Sequence, residues 1–355
     1  MSCHRVLNRG QSMKKQQRIQ QIHSFVLRDV QTHSKDITKV TAAEFGISRQ
    51  AASRHVRDLV KKGLLSARGK TRSRSYELAT ISEKAVQLAI TPELEDDRVW
   101  RENFSPLVAA LPPNISGICH YGFTEMFNNV IDHSEGTKVR TRMVMTAVTV
   151  EIWVIDNGIG IFEKIKRKLG LEDHRHAILE LAKGKLTTDP ERHTGEGVFF
   201  TSRMFDEFNI LSGDLAFLHW QPDNDWLIED TESEVGTVVK MLISTNSSRS
   251  TKEVFDKYVT AGDEFGFTKT IVPVSLLRYG TENLVSRSQA KRLLGRFERF
   301  KEIWLDFQGV PLIGQAFADE IFRVFQSTHP EIKLRWVDAN EEVEKMIRRV
   351  TRESQ

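Results

Sequence analysis

The stretch from Tyr121 to Gly160 constrains the fold of this chain more than any other part of the sequence. It begins YGFTEMFNNVIDHS and continues, after a strand-like run, into VEIWVIDNGIG. A helix in the first part would align polar side chains on or beside one face: Glu125, Asn129, Asp132 and His133. The run Val148–Ile155 is rich in β-branched and aromatic residues. The sequence therefore predicts a helix with a polar face, followed by a strand that ends in Asp-x-Gly-x-Gly.

The polar side chains of this predicted helix suit the phosphate end of a nucleotide. Glu125 could orient or deprotonate a water or hydroxyl for attack on a terminal phosphate. Asn129 offers a neutral oxygen ligand to a Mg²⁺ ion that also holds phosphates and waters. Asp132 and His133 would lie nearer the sugar or the end of the helix. We therefore take Glu125 as the candidate catalytic residue and Asn129 as the candidate metal ligand.

The strand that ends in Asp-x-Gly-x-Gly and two later glycine motifs suit the remaining parts of a nucleotide site. Asp156 could accept a hydrogen bond from an exocyclic amine such as that of adenine, and Gly158 and Gly160 permit close backbone approach. Gly195-Glu-Gly197 opens an amphipathic helix, a good position for phosphate binding, and the polar stretch 185–194 before it has the composition of a lid. In Gly236-Thr237 the hydroxyl could bond Asp156 or a water.

Taken together and in this order, these motifs resemble the GHKL family, which includes DNA gyrase B, Hsp90, sensor histidine kinases and MutL. The resemblance implies an α/β two-layer sandwich of GHKL (Bergerat) type that binds ATP and Mg²⁺ between a helix and a lid. Within the family the chain is most similar to anti-sigma-factor serine kinases, because of Glu125, His133 and the aromatic residues after Gly197. No lysine stands directly beside the second Gly-x-Gly. The identity of the cation that would contact the phosphates stays open among four residues: Lys183, Lys185, Arg192 and His193.

The first 80 residues carry 17 Lys and Arg against 5 Asp and Glu, whereas the whole chain has a formal charge of only +3. A basic N-terminal segment in a chain whose remainder is acidic indicates an anionic partner such as nucleic acid. The run AAEFGISRQAASRHVRDLVKKGLL predicts a short helix, a Gly-Ile-Ser turn and a longer helix, and a basic two-stranded turn follows it. It resembles the winged helix-turn-helix of bacterial regulators, which implies contacts to double-stranded DNA from Ser48, Arg49, Gln50, Ser53, Arg54, Arg57 and Arg72.

The last hundred or so residues alternate strand-like and helical runs, which predicts a small parallel sheet with helical crossovers. The segment EIWLDFQGVPLIGQAFADEIFRVF resembles STAS-like domains, the partners of the serine kinases named above. In phosphorylatable members a Ser or Thr begins the helix after the Leu-Asp-Phe strand, but no hydroxyl residue lies between Asp306 and Ser327. The domain is therefore expected to be an interaction or regulatory module, or a plain α/β domain that packs on its neighbour.

The predicted organisation is multidomain. It comprises a disordered tail (1–15), a winged helix-turn-helix (16–90), a GHKL domain (95–246) and a STAS-like α/β domain (252–355). The sequence has no membrane-length apolar run and no signal peptide, and two cysteines cannot build a disulfide framework, so a cytoplasmic setting is expected.

Three functional hypotheses follow. The first is a bacterial-type regulator in which Mg-ATP controls DNA binding and contact with a regulatory protein partner, with homodimerisation a further option. The second is a serine/threonine protein kinase acting on a partner, and the third is a degenerate module without nucleotide.

Overall fold

The computed structural model shows a mixed α/β chain that divides into two compact units. It describes residues 3–70, 73–186, 195–220, 224–228, 234–260, 266–278, 280 and 282–352. The first unit comprises Met1–Lys84, Met143–Glu151 and Ser244–Asn246, and the second comprises Ala85–Arg142, Ile152–Ile243 and Ser247–Gln355. Within the part of the chain so described, no helix has the length and apolar character needed to cross a membrane.

Three helices and a hairpin form the N-terminal part of the first unit. Its elements are α1 (Cys3–Asp29), α2 (Ile37–Glu44), α3 (Arg49–Lys61), β1 (Leu65–Arg68) and β2 (Ser75–Leu78). The strands pair antiparallel from Leu65 opposite Leu78 to Arg68 opposite Ser75. Because α1 begins at Cys3, it includes residues that the sequence assigns to a disordered tail.

Local sequence explains the turn between α2 and α3. Gly46 has a φ of +60°, a left-handed conformation that a glycine adopts without strain. Ser48 then caps α3, since its Oγ accepts a hydrogen bond from the backbone N–H of Ala51 at 3.1 Å. The buried face of α3 consists of Ala52, Val56 and Leu59. This face packs in a core shared with α1 and the hairpin, which leaves the opposite face of α3 toward solvent.

A seven-stranded sheet forms the centre of the remaining fold. Its strands are β3 (Ser82–Ala89), β4 (Lys138–Met145), β5 (Thr149–Asp156), β6 (Glu207–Gly213), β7 (Leu215–Trp220), β8 (Asn224–Ile228) and β9 (Glu234–Ser244). They lie in the order β3-β4-β5-β9-β6-β7-β8, and β6 pairs antiparallel with both β7 and β9. Buried and less buried residues alternate along β5 and β6, as expected for strands with one face on a core. The sequence places the first domain boundary near residue 90, whereas β3, with its first residue at 82, is part of this sheet.

The helices that accompany this sheet are α4 (Asp96–Asn103), α5 (Ser105–Val108), α6 (Pro113–His133), α7 (Ile161–Leu169), α8 (His174–Lys183), α9 (Gly197–Met204) and α10 (Thr251–Lys257). Helix α6 begins at Pro113, because proline suits the first helical position, where no N–H partner is needed.

The C-terminal region has a three-stranded parallel sheet, as predicted. Its strands are β10 (Lys269–Pro273), β11 (Glu302–Asp306) and β12 (Lys333–Val337), paired in that order. Its helices are α11 (Arg287–Leu294), α12 (Gln315–Asp319), a π-helical section Glu320–Phe325, α13 (Gln326–Thr328) and α14 (Glu341–Arg352). Short 3₁₀ turns occur at Val274–Leu277 and Phe297–Arg299. This region lies in the second unit, together with α6 to α10 and most of the large sheet.

Candidate functional site

A cavity of about 320 Å³ lies in the second unit and contains most of the residues that the sequence predicts for nucleotide binding. Those that line it come from four separate segments of the chain: Glu125, Asn129, His133, Asp156, Gly160, Gly195, Gly197 and Thr237. Apolar side chains complete the wall: Met126, Val130, Ile161, Ile165, Leu181, Leu186, Val198, Ile210 and Val239. A partly apolar cavity with a few polar groups at defined positions is typical of a small-molecule binding site.

Helix α6 presents a broad stripe, about half of its circumference, to the cavity. The lining positions are 125, 126, 129, 130, 133 and 134, which share one face at helical spacing. Asp132, predicted to belong to the site, is exposed and does not line the cavity. At about 100° per residue it points roughly 110° away from the centre of the stripe. His133, also predicted to belong to the site, lies on the cavity.

The loop after β5 is fixed by hydrogen bonds to the Asp156 carboxylate. Asp156 is 5% exposed, and its Oδ1 accepts from the backbone N–H of Gly158 at 2.7 Å. Burial raises the pKa of Asp156 above its ordinary value of 3.8, although hydrogen bonds from Gly158 and from both the backbone and the hydroxyl of Thr237 favour the ionised form. The Thr237 hydroxyl also accepts from the N–H of Ile161 at 3.0 Å. Asp156 is thus an oriented acceptor at the base of the cavity.

Two glycines allow the backbone of this loop to pack closely. A Cβ on Gly158 would lie 2.0 Å from the carbonyl oxygen of Ser134, so Gly158 shapes the junction with α6 without lining the cavity itself. Gly236 has a φ of +84°, and a Cβ there would lie 2.2 Å from the carbonyl oxygen of Asp156. These positions accept glycine alone without strain, which explains why glycines occur at these places in the sequence.

The second Gly-x-Gly and the α6 carboxylate meet directly. A Cβ on Gly197 would lie 2.0 Å from Oε2 of Glu125. Glu125 therefore lies against the first residue of α9, where backbone N–H groups without helical partners favour negative charge. Tyr121 stands one turn before Glu125, and burial, followed by the charges of Glu125 and Glu196, raises the pKa of its phenol. Tyr121 was not among the predicted site residues.

Two of the four candidate phosphate-binding cations do not line the cavity. Lys183 and Lys185 turn away from the cavity and hydrogen-bond to the C-terminal region, and Arg192 and His193 lie outside the described residues. Among the described residues that line the cavity, Lys164 is the only lysine or arginine, and its amine also pairs with Glu135. Lys164 follows Gly160 by one turn of α7, a spacing that sequence reasoning could have used to find it.

The predicted DNA-contacting residues of the first unit lie largely at its surface. Ser48, Arg49, Gln50, Arg54 and Arg57 are exposed and Ser53 is half-buried. All six stand at the start or outer side of α3, opposite its buried face. Arg72 lies outside the described residues. Additional exposed basic side chains occur on the hairpin: Arg68, Lys70 and Arg74.

Comparison with known proteins supports one part of the predicted organisation. Residues 289–344 match the family model described as a STAS-like domain of unknown function (DUF4325). The predicted C-terminal STAS-like domain is therefore confirmed over those residues. Comparison with curated proteins found no match.

Proposed function

We propose that this chain is an ATP-responsive, DNA-binding regulator with a nucleotide site of GHKL type. The observation that supports the ATP site is the cavity in which Glu125, Asn129, Asp156 and Gly197 meet, although they are distant in sequence. The apolar wall suits the adenine ring, and Asp156 suits its exocyclic amine. The polar stripe of α6 and the start of α9 suit Mg²⁺ and the phosphates.

Each group has a defined task in this proposal. Asn129 supplies an oxygen to Mg²⁺, and Glu125 orients the water or hydroxyl that attacks the terminal phosphate. Lys164 brings a positive charge to the wall of the cavity. His133 lies beyond Asn129 on the same stripe of α6 and completes that side of the site.

The proposed DNA-binding surface is the outer face of α3 with the adjoining hairpin. Arg49, Arg54 and Arg57 are exposed on that helix, and the first 80 residues have a large excess of basic side chains. This arrangement is typical of a recognition helix in the major groove with a basic wing on the phosphate backbone. Nucleotide binding would then act as the signal that changes DNA affinity, a population shift between two states of the protein.

Titration of the purified protein with Mg-ATP tests the site. The Asn129→Ala variant is expected to lose most of its affinity because the proposed metal ligand is gone. Asn128→Ala is a matched control, since its amide pairs with Asp96 at 3.2 Å and it does not line the cavity. Equal affinity in wild type and Asn129→Ala, or no binding in wild type, would refute the site.

The same preparation distinguishes a switch from a protein kinase. Radiolabelled ATP added with cell lysate would label a partner protein if the chain transfers phosphate, and the regulator proposal predicts no such label. The chain's own STAS-like domain is a poor acceptor, since no Ser, Thr or Tyr occurs between Asp306 and Ser327.

A further inference from the structure

The STAS-like domain holds the end of α8, and Lys183 is at the centre of this contact. Lys183 is fully buried, and its amine donates to Oε1 of Glu180 at 2.5 Å. It also donates to the carbonyl oxygens of Arg292 at 3.1 Å and Gly295 at 2.8 Å, both in the C-terminal region. A lysine ammonium has three N–H donors, and all three find acceptors here. A buried charge that is satisfied in this way requires the two domains to stay docked.

Arg296 of the STAS-like domain contacts the same end of α8. Its Nη1 donates to Oε2 of Glu180 at 2.7 Å, and its Nη2 donates to the carbonyl oxygen of Gly184 at 3.1 Å and to that of Lys185. Carbonyls that follow the last turn of a helix have no helical partners, so a cation is favoured there. Arg296 has a φ of +66°, uncommon for a residue with a side chain.

The carbonyl groups of Gly184 and Lys185, which Arg296 contacts, come directly before Leu186 in the chain. Leu186 lines the cavity, and its N–H donates to the carbonyl oxygen of Gly195 at 2.9 Å. Gly195 lines the cavity as well. From the other side, the hydroxyl of Thr270 donates to the carbonyl oxygen of Lys183 at 2.8 Å. The segment 183–186 is therefore held by the STAS-like domain at one end and forms part of the nucleotide cavity at the other.

We propose that Glu180, Lys183 and Arg296 are positioning residues through which the STAS-like domain sets the nucleotide affinity of the cavity. This inference rests on the proposed ATP site. The docked domain fixes Leu186 and Gly195 in place, so that the nucleotide does not have to order them on binding. Linkage requires the reverse effect too: bound nucleotide tightens the contact between α8 and the STAS-like domain by the same factor. The STAS-like domain is then an internal regulator of the site.

Full-length variants test this proposal through Mg-ATP affinity. Arg296→Ala removes three hydrogen bonds outside the cavity and is expected to weaken binding about tenfold, within the 5- to 150-fold range usual for coupled sites. Arg296→Lys keeps the charge and is expected to restore part of the loss. Lys291→Ala is the matched control, because Lys291 is an exposed residue of α11 whose amine lies 4.0 Å from Glu320 in the same domain. It is expected to bind like wild type.

A second measurement separates coupling from a purely structural role. In wild type, Mg-ATP is expected to slow amide hydrogen exchange in the segment 292–299, although that segment does not line the cavity. A domain that merely packs on its neighbour would show no such response. Should Arg296→Ala fail to fold, Arg299→Ala replaces it. Arg299 is exposed and donates one bond, 2.9 Å long, to the carbonyl oxygen of Lys185, so its loss is expected to weaken binding in the same direction by less.

The outcomes distinguish the two proposals. If wild type and Asn129→Ala both fail to bind Mg-ATP, the proposed function is wrong. If wild type binds and Asn129→Ala does not, the nucleotide site stands. In that case, unchanged affinity in the folded Arg296→Ala or Arg299→Ala protein, or no effect of Mg-ATP on exchange in 292–299, overturns the positioning role of these residues.

Discussion

Replacement of Gly197 by alanine tests how closely α6 and α9 approach each other at the cavity. The new Cβ would lie 2.0 Å from Oε2 of Glu125 and 3.0 Å from its carboxylate carbon. Its distance from the Cβ of Glu125 would be 3.5 Å, which is an ordinary contact. The conflict is therefore with the carboxylate alone, and that group must rotate away from the start of α9.

The cost of this rotation sets the size of the expected effect. Overpacking by one methyl group typically costs about 1–3 kcal/mol, and alanine recovers part of that through its better helix propensity. If the displaced carboxylate enters the space of the phosphates, the affinity for Mg-ATP is expected to fall about 5- to 150-fold. Calorimetric titration measures the affinity, and urea denaturation measures the accompanying loss in the free energy of unfolding.

A double variant identifies the cause. In a Glu125→Ala background the carboxylate is absent, so adding Gly197→Ala is expected to cost neither affinity nor stability. Gly117→Ala serves as a control in α6, because a Cβ at that position meets nothing within 4 Å. An equal cost of Gly197→Ala in both backgrounds would refute the proposed contact between Glu125 and α9.

Three further outcomes are expected. ATP affinity falls as the pH is lowered through the pKa of Asp156, because burial raises that pKa and the protonated carboxyl accepts hydrogen bonds poorly. Titrations with ATP over a pH series measure this dependence, and the Asp156→Asn variant is expected to lack it. Lys164→Met weakens the binding of ATP more than that of adenosine, and an equal loss for both ligands would contradict a phosphate contact. Arg54→Ala weakens duplex binding and lowers its salt dependence in a gel-shift series, whereas Arg28→Ala, whose guanidinium pairs with Asp29 at 2.9 Å, leaves both unchanged.

Sequence reasoning predicted those parts of the fold that depend on local patterns. Asp156 at the end of a strand, the glycines that follow it and the Gly-x-Gly before α9 have steric requirements that are visible in the residues themselves. The alternation of strands and helices likewise predicted the parallel sheet β10-β11-β12, and the family comparison confirmed a STAS-like domain over residues 289–344, which include β11 and β12.

Features that depend on contacts distant in sequence could not be predicted. Asp132 shares a broad polar face with Asn129, but only the packing of α6 determines which part of that face meets the cavity. Lys183 and Lys185 looked like candidate phosphate ligands because of their position before Gly195. The Lys183 amine donates to Gly295 as well as to nearby Glu180, and the Lys185 amine donates to Arg299. The two contacts with residues more than 100 positions away could not be predicted from a local pattern.

The effect of Mg-ATP on DNA affinity tests the central claim most directly. The assay measures the affinity of wild type and Asn129→Ala for a duplex from the region upstream of the protein's own gene, with and without Mg-ATP, over a series of salt concentrations. We predict salt-dependent binding in both proteins and a shift with Mg-ATP in wild type alone. The same affinity with and without Mg-ATP in wild type, or no salt-dependent binding to the duplex, would contradict the proposal of an ATP-controlled DNA-binding regulator.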